Sequence, residues 1–323
     1  MTEVTACTDR EEWDRIILEG GGHPLQLWGW GEVKTAHGWR AERLVVRGGD
    51  TIIGAAQLLI RRLPGPFKAL AYVPRGPMCE EKDREVVLGA LGEFVRAHHP
   101  VTVLTIEPDW GQAEFPEGWR QSPNTILAPR TLVLDLGLTE DELLSAMSKK
   151  TRQYIRKSAD EVQIRQVKTA LEIKECLDIY KQTAKRAGFA LHGESYYEDI
   201  FEKLGEHSPV FGAFHGEKMV AFLWLAISNE TAFELYGGVT DEGQQTRANY
   251  ALKWQTITTM KKWGIARYDL NGLINDGIST FKQGFSDHED QLVGTYDLPL
   301  SPLYGLWTHG LPAIKKIVRS VKR

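Results

Sequence analysis

The pattern of apolar and polar positions predicts a mixed α/β protein in which one unit of structure occurs twice. In the first half, two helical stretches precede the apolar runs Arg43–Val46 and Thr51–Arg62, and the Gly-Gly-Asp turn between these runs predicts a hairpin. In the second half, two helical stretches again precede a hairpin, formed by Val210–Phe214 and Met219–Ile227. A further strand, a helix and a buried strand follow each hairpin, so the order of elements repeats.

This order is that of acetyltransferase-type folds, and we therefore predict two tandem acetyltransferase (GNAT)-like domains with mixed sheets. The predicted boundaries are residues 1–137 for the first domain and residues 138–298 for the second. The length of 323 residues is typical of two domains. Residues 299–323 end in a basic amphipathic helix over Leu311–Arg323, and we expect this segment to pack back on the first domain.

The loop that enters the long helix of the second half differs from a coenzyme A site. Acetyltransferase-type folds bind the coenzyme pyrophosphate with main-chain N–H groups between a strand and a helix N-terminus. The equivalent segment here, Gln244–Asn249, has no glycine after Gly243, so its side chains would block close approach of a pyrophosphate. Another acyl donor is therefore favoured. Arg247 can still contact a phosphate, although an exposed arginine at a helix start explains it equally well.

Composition and charge restrict the partners and the cellular compartment that we expect for this protein. The net charge is −4, so contact with nucleic acid must come from local basic patches. The three cysteines have no metal-site or disulfide spacing, and they predict reduced thiols in a cytoplasmic protein. The N-terminus has no signal-peptide pattern, and no apolar run is long enough to cross a bilayer. No hydrolase, P-loop or dinucleotide-binding motif occurs, and no metal site is predicted.

The stretch from Ile265 to Phe285 is the strongest candidate for the reactive site. Its apolar run Ile265–Leu270 predicts a buried strand, which ends in a polar turn before the sequence Phe281-Lys282-Gln-Gly-Phe285. Ligands of α/β proteins bind outside the carboxyl ends of strands, which favours Lys282 as a site residue. Spacing alone also fits a solvated lysine between two core phenylalanines.

Two basic segments are candidates for contact with a polyanion. Lys149–Lys157 carries five cations in nine residues and includes Lys149, Lys150, Arg152 and Arg156, with Tyr154 among them as a candidate for stacking. Lys315–Arg323 carries another five, which also fits weak contact with an anionic membrane surface. A solvated helix face is the alternative explanation for the first segment.

Five motifs occur along the chain in this order: Gln26-Leu-Trp-Gly-Trp-Gly-Glu-Val-Lys34, Tyr72-Val-Pro-Arg75-Gly-Pro77, Lys150-Thr-Arg-Gln-Tyr-Ile-Arg-Lys157, Tyr236-Gly-Gly and Phe281-Lys282-Gln-Gly-Phe285. Together, and in this order, they resemble the FemABX family of non-ribosomal peptidyltransferases of bacterial cell-wall synthesis. The resemblance covers nearly the whole chain. The coiled-coil arm of the family is not evident, so the chain looks like the compact FemX-like members.

The resemblance implies both an activity and roles for residues. Family members transfer an amino acid from aminoacyl-tRNA to the side-chain amine of the stem peptide, in UDP-MurNAc-pentapeptide or lipid II. By resemblance, Lys34 and Arg186 contact the phosphates of the precursor, Tyr236 and Arg75 lie in the precursor cleft, and Phe281 and Lys282 lie at the tRNA acceptor end. Glu107 stands where many members have aspartate, which leaves its catalytic role open.

This chemistry requires neither a metal nor a redox cofactor, because the ester to a tRNA ribose is already an activated acyl donor. The enzyme has to position the reactants, stabilise the oxyanion and move one proton. We expect a monomer that builds the peptidoglycan interpeptide bridge. An acyl-coenzyme A N-acyltransferase and a non-catalytic protein that binds tRNA or a cell-wall precursor are the alternatives.

Overall fold

The computed structural model describes residues 2–274 and 277–310, with no description of the side chains of residues 309 and 310. The chain forms two compact units, Met1–Pro129 with the segment from Gln291 onward, and Arg130–Asp290. The predicted C-terminal helix over Leu311–Arg323 lies outside the described residues. In the described part of the chain, no helix is long and apolar enough to span a membrane.

The first unit is built on a twisted mixed sheet. Up to residue 129, its strands are β1 (Thr2–Ala6), β2 (Arg40–Gly48), β3 (Thr51–Arg62), β4 (Ala69–Pro74), β5 (Met78–Cys79), β6 (Val103–Glu107) and β7 (Arg120–Gln121). Its helices are α1 (Arg10–Glu19), α2 (Trp28–Ala36) and α3 (Arg84–His98). β2 and β3 form the predicted hairpin, β3 and β4 are antiparallel, and β4 pairs in parallel with β6. The connection between β4 and β6 contains α3, whose buried leucines and valines pack against the sheet.

The second unit repeats this arrangement. Its strands are β8 (Arg130–Thr131), β9 (Val133–Asp135), β10 (Gln163–Val167), β11 (Val210–His215), β12 (Lys218–Ile227), β13 (Thr231–Val239), β14 (Arg267–Asp269) and β15 (Asp290–Gln291), the last of which ends in the first unit. Its helices are α4 (Glu140–Ala146), α5 (Lys149–Ala159), α6 (Ala170–Ala187), α7 (Glu194–Leu204), α8 (Asp241–Gln245), α9 (Ala248–Lys262) and α10 (Gly277–Gln283). β11 and β12 form the second predicted hairpin, and β13 pairs in parallel with β14. The predicted mixed α/β fold with two GNAT-like sheets is confirmed.

Local sequence explains where these helices begin and end. Thr169 and Glu172 form a capping box at the start of α6, and Gly188 ends the helix in the left-handed conformation at φ 77°. At 18 residues, α6 is the longest helix in the described ranges, which fits the absence of a coiled-coil arm there.

Two short strands near the predicted domain boundaries belong to the unit that the sequence did not indicate. β9 follows the first unit in sequence but pairs with β14, because Leu132, Leu134 and Leu136 complete the core of the second unit. The last strand, β16 (Tyr296–Pro299), returns to pair with β6, and Leu298 joins the core of the first unit. The units therefore divide at residues 129/130 and 290/291, whereas the sequence-based boundaries were 137/138 and 298/299.

Candidate active site

In the first unit, the carboxyl ends of the parallel strands β4 and β6 hold Glu107 in a buried polar cluster. Pro74 ends β4 and pairs with Glu107 at the end of β6, and Glu107 is 1% exposed. Four groups donate hydrogen bonds to its carboxylate: Tyr72 Oη (2.5 Å), Thr295 Oγ1 (2.6 Å), Ile126 N (2.7 Å) and Leu127 N (3.0 Å). A base at this position would first have to release one of these donors, so the contacts favour a structural role that anchors residues 126 and 127.

Arg75 lies next to this cluster and is itself buried. Its backbone is left-handed at φ 50°, and its Nη2 donates a hydrogen bond to the carbonyl of Ala128 at 3.3 Å. Burial raises the pKa of Tyr72 well above its usual value, the charge of Glu107 raises it further, and Arg75 opposes the shift. Tyr72 therefore stays protonated and donates a hydrogen bond to Glu107.

Lys34 lies in the last turn of α2, half-buried among aromatic and cationic groups. Its Nζ lies 4.4 Å from the centre of the Trp30 ring, and the Arg61 guanidinium lies 5.4 Å from the centre of the Trp39 ring. Burial and then the nearby charge of Arg61 lower the pKa of Lys34 to about 8. Two neighbouring cations with aromatic surfaces beside them are an arrangement that can bind a phosphorylated ligand.

In the second unit, β13 and β14 part after the pair Phe233–Asp269, and a buried charge pair lies at this point. Glu234 and Lys253 are both buried and form an ion pair between β13 and α9. The Tyr268 hydroxyl also donates to Glu234 at 2.8 Å. Burial lowers the pKa of Lys253, and Glu234 opposes that shift. Buried charges are stable only when they are paired, so Glu234 and Lys253 hold each other in place where β13 and β14 separate.

Lys282 lies near the end of α10. It is half-buried, and its Nζ donates to the carbonyl oxygens of Asn271 at 2.6 Å and Gly272 at 3.3 Å. The neighbouring Phe281 ring lies 5.3 Å from Lys253 Nζ. The predicted pair Phe281–Lys282 is thus held at the carboxyl end of β14, where sequence reasoning expected a site.

An aromatic row connects Phe281 to the basic helix α5. Phe281 meets Tyr250 edge-on at 4.9 Å between ring centres, and Tyr250 meets Tyr154 of α5 at 5.0 Å. Arg247, left-handed at φ 59°, places its guanidinium 3.8 Å from the centre of the Tyr154 ring. The row offers stacking surfaces beside cations, which are the groups that bind single-stranded nucleic acid.

The cations of α5 fall into two groups. Lys149, Lys150 and Arg156 are exposed, as the prediction of a polyanion contact requires. Arg152 instead donates from Nη1 to three carbonyls at the C-terminal end of α4, those of Leu144 (3.2 Å), Ser145 (3.1 Å) and Met147, the residue after the helix (2.6 Å). Its charge therefore complements the C-terminal end of α4, and the geometry favours a structural role for Arg152.

Helix α5 also contacts the end of α10. Ser148 N donates to the carbonyl of Gly284 at 3.0 Å. A side chain at Gly284 would bring its Cβ within 2.4 Å of Thr151 Oγ1, so glycine permits this close approach. The cationic helix and the Lys282 helix are thus held in a fixed relation within the unit.

Tyr236 lies on β13, and Arg186 lies in the last turn of α6. The Tyr236 ring is half-buried among tyrosines, with ring centres 5.1 Å from Tyr197 and 5.5 Å from Tyr180, and burial raises its pKa well above the usual value. Arg186 Nη2 donates to the carbonyl of Val239 at 2.8 Å, and Nη1 lies 3.2 Å from Asp241 Oδ1. A phosphate would have to compete with these contacts for the Arg186 guanidinium.

The segment before α9 has an internal structure of its own. Residues Asp241–Gln245 form α8, and Gly243 packs so closely that an added Cβ would lie 2.3 Å from the carbonyl oxygen of Val220. Helix α9 begins at Ala248, as predicted, and side chains rather than glycines occupy the turn before it.

Sequence reasoning missed four residues of the second site, namely Glu234, Lys253, Tyr268 and Asn271. A lone charge inside a largely apolar strand or helix was the available signal for Glu234 and Lys253, because such charges are rarely buried without a partner. The dipeptide Asn271-Gly272, which is typical of turns with a positive φ, was the available signal for the left-handed conformation of Asn271.

Two duplicated sheets, each with a parallel strand pair open at its carboxyl end, define a tandem acyltransferase fold. The profile of the FemAB family matches residues 18–126, 117–214 and 215–309, and the chain belongs to this family. A lipid II:glycine glycyltransferase of Staphylococcus aureus (strain MRSA252) is 26% identical over 422 residues, covering 99% of this chain and 100% of that protein.

Solved structures support the same assignment of fold. The crystal structure of FemX superimposes with a TM-score of 0.84 at 19% identity, covering 94% of this chain and 99% of the other. A tandem GNAT protein from the clavulanic acid biosynthesis pathway gives a TM-score of 0.52 at 14% identity, with the same coverage. The predicted resemblance is therefore confirmed, and the protein is an aminoacyltransferase of the FemAB family that acts on a peptidoglycan precursor.

Proposed function

We propose that this protein moves one amino acid from aminoacyl-tRNA to the side-chain amine of the stem peptide, with Lys282 beside the reacting ester. The observation that carries the proposal is the row of groups from the exposed cations of α5 through Tyr154, Tyr250 and Phe281 to Lys282. This row supports a binding mode in which the exposed cations contact the phosphates of the tRNA, and the aromatic rings and Lys282 contact its terminal base and ester.

The donor would be bound by two kinds of contact. Lys149, Lys150 and Arg156 are exposed and can neutralise phosphates, a sequence-independent contribution that weakens with salt. Tyr154, with Arg247 above its ring, offers a stacking surface for an unpaired base near the acceptor end. A protein with a net charge of −4 needs such a local cluster to attract a polyanion.

The reaction needs positioning and charge rather than a covalent enzyme intermediate. The stem-peptide amine attacks the ester carbonyl, a C–N bond forms, and the C–O bond to the ribose breaks. The amine proton is transferred to the ribose oxygen that leaves, either directly or through the neighbouring hydroxyl of the same ribose. The Lys282 ammonium would stabilise the negative charge on the carbonyl oxygen in the transition state.

The acceptor would be recognised through its phosphates. Lys34 is half-buried beside Arg61, Trp30 and Trp39, a setting that favours a diphosphate attached to a sugar. Arg186 and Arg75 remain proposed contacts of the precursor, and Tyr236 a proposed part of its cleft. The name of the Staphylococcus aureus relatives favours lipid II as the acceptor. A tRNA donor places the reaction in the cytoplasm.

The test is transfer of radiolabelled glycine, alanine or serine from charged tRNA to an acceptor. Parallel reactions contain UDP-MurNAc-pentapeptide or lipid II, which separates the soluble acceptor from the lipid-linked one. The proposal predicts labelled product with at least one combination. No transfer with any of the three amino acids on either acceptor refutes it, and heat protection by coenzyme A would then favour the acyl-coenzyme A alternative.

A further inference from the structure

The segment after β14 has an unusual conformation that places two carbonyl groups against Lys282. Leu270 N donates to the carbonyl of Leu132 at 2.9 Å, and Leu273 N donates to the carbonyl of Arg130 at 2.8 Å. Asn271 and Gly272 are the two residues between these hydrogen bonds. Their carbonyl oxygens are the two that accept from Lys282 Nζ.

Asn271 is left-handed at φ 56°, a conformation that is unfavourable for most non-glycine residues. Asparagine tolerates it better than most residues, because its short polar side chain can bond to nearby main-chain groups. In this conformation the Asn271 N–H donates to Asp269 Oδ1 at 2.7 Å. Asp269 is fully buried and also accepts from Thr131 Oγ1 at 2.5 Å, so this anchor is fixed.

The side chain of Asn271 makes the second anchor. Its Nδ2 donates to the main-chain carbonyl of Glu234 at 2.9 Å, across the opening between β13 and β14. The side chain of Glu234 is held by Lys253 and Tyr268. A continuous chain of contacts therefore runs from the buried ion pair, through the amide of Asn271, to the carbonyls that receive the Lys282 ammonium.

We infer that Asn271 is a positioning residue for Lys282: its side-chain amide, tied to Glu234, and its left-handed backbone set the place of the Lys282 ammonium. This inference rests on the proposed role of Lys282 at the ester and adds the residue that aligns it. Loss of the Asn271 amide should change kcat rather than substrate affinity, because the main-chain carbonyl of Asn271 positions the Lys282 ammonium at the reacting ester. A misplacement of about 1 Å at a reacting group can cost roughly 100-fold in rate.

Two variants distinguish the contribution of the left-handed backbone of residue 271 from that of its side-chain amide. Asn271→Gly keeps access to the left-handed conformation and removes the amide, whereas Asn271→Asp keeps the size of the side chain and replaces the donor with an anion facing a carbonyl. The matched control is Asn229→Gly, an exposed asparagine in the turn between β12 and β13, at the opposite end of the parallel pair.

We expect kcat to fall about tenfold in Asn271→Gly and about 100-fold in Asn271→Asp, with the KM for both substrates unchanged and Asn229→Gly at the wild-type rate. The second measurement is independent of turnover. Reductive methylation of Lys282, followed by mass spectrometry of its peptide, should be faster in both Asn271 variants, because the main-chain carbonyls that accept from the ammonium are no longer held in place by the Asn271 amide.

Unchanged methylation of Lys282 in both variants would overturn the inference, whatever happens to kcat. Equal kcat values for wild type and both variants would overturn it as well. If the wild-type enzyme transfers no amino acid, the proposed function fails, while the methylation rates still decide whether Asn271 positions Lys282.

Discussion

Removing Lys253 should destabilise the second unit strongly, whereas removing both members of its ion pair should not. In Lys253→Met the apolar side chain fits among Phe281 and Phe285, but the carboxylate of Glu234 stays buried with the Tyr268 hydroxyl as its remaining side-chain donor among the contacts described. Breaking a buried pair by deleting one partner costs about 3–5 kcal/mol. We therefore expect the free energy of unfolding to fall by about 3 kcal/mol or more.

The double variant Lys253→Met, Glu234→Gln tests the reason for that loss. It removes both charges and keeps an acceptor for the Tyr268 hydroxyl, and a buried uncharged amide costs less than a buried carboxylate without its cation. The double variant should therefore recover most of the stability lost in the single variant. Lys262→Met, an exposed lysine in the same helix, is the control and should stay within about 0.5 kcal/mol of wild type.

Urea unfolding of the full chain, followed by tryptophan fluorescence and circular dichroism, measures these differences. Coincident transitions by both probes would justify a two-state treatment. The reasoning is refuted if Lys253→Met is as stable as Lys262→Met, since the pair would then contribute nothing. It is also refuted if the double variant is less stable than the single one.

Three further predictions concern separate parts of the structure. Burial and the charge of Arg61 lower the pKa of Lys34 to about 8, so its ammonium loses its charge as the pH rises through 8. The KM for the precursor should therefore rise roughly tenfold by pH 9 in wild type and stay constant in Lys34→Arg. Identical pH profiles of KM for the two proteins would contradict this. Arg152→Met should lower the free energy of unfolding by about 2 kcal/mol and change tRNA affinity little, as measured by urea unfolding and filter binding. Arg156→Met should leave stability unchanged and reduce the slope of tRNA affinity against salt by about one unit. The reverse pattern would refute the assignment of a structural role to Arg152 and a tRNA contact to Arg156. Gly284→Ala should lower kcat because its Cβ would meet Thr151 Oγ1 at 2.4 Å, and Thr151→Ala in the same chain should restore much of the rate; a normal kcat in Gly284→Ala would show that the close approach has no part in catalysis.

The order of elements could be predicted from sequence because it depends on local patterns. The hairpins carry apolar runs around tight turns, and α6 begins at a capping box that is visible in the sequence. The sheets that β9 and β16 join could not be predicted in the same way. Strands of three or four residues carry too little periodicity to show which sheet they join.

The candidate site was predictable in part. The motif Phe281–Lys282 follows a buried strand, so its position at a strand end could be inferred from the order of elements. The different roles of Arg152 and Arg156 could not, because both are cations of one basic helix and only the fold brings Arg152 to the carbonyls of α4. The same holds for Glu107, whose four donors come from distant parts of the chain.

The central claim, that Lys282 acts on the ester in the chemical step, is tested most directly by single-turnover transfer with Lys282→Met. Enzyme in excess over charged tRNA is mixed with saturating acceptor, and the affinity for each substrate is measured separately. We expect a loss of about 100-fold or more in the transfer rate, with both affinities within about twofold of wild type. A wild-type transfer rate in Lys282→Met would contradict the account.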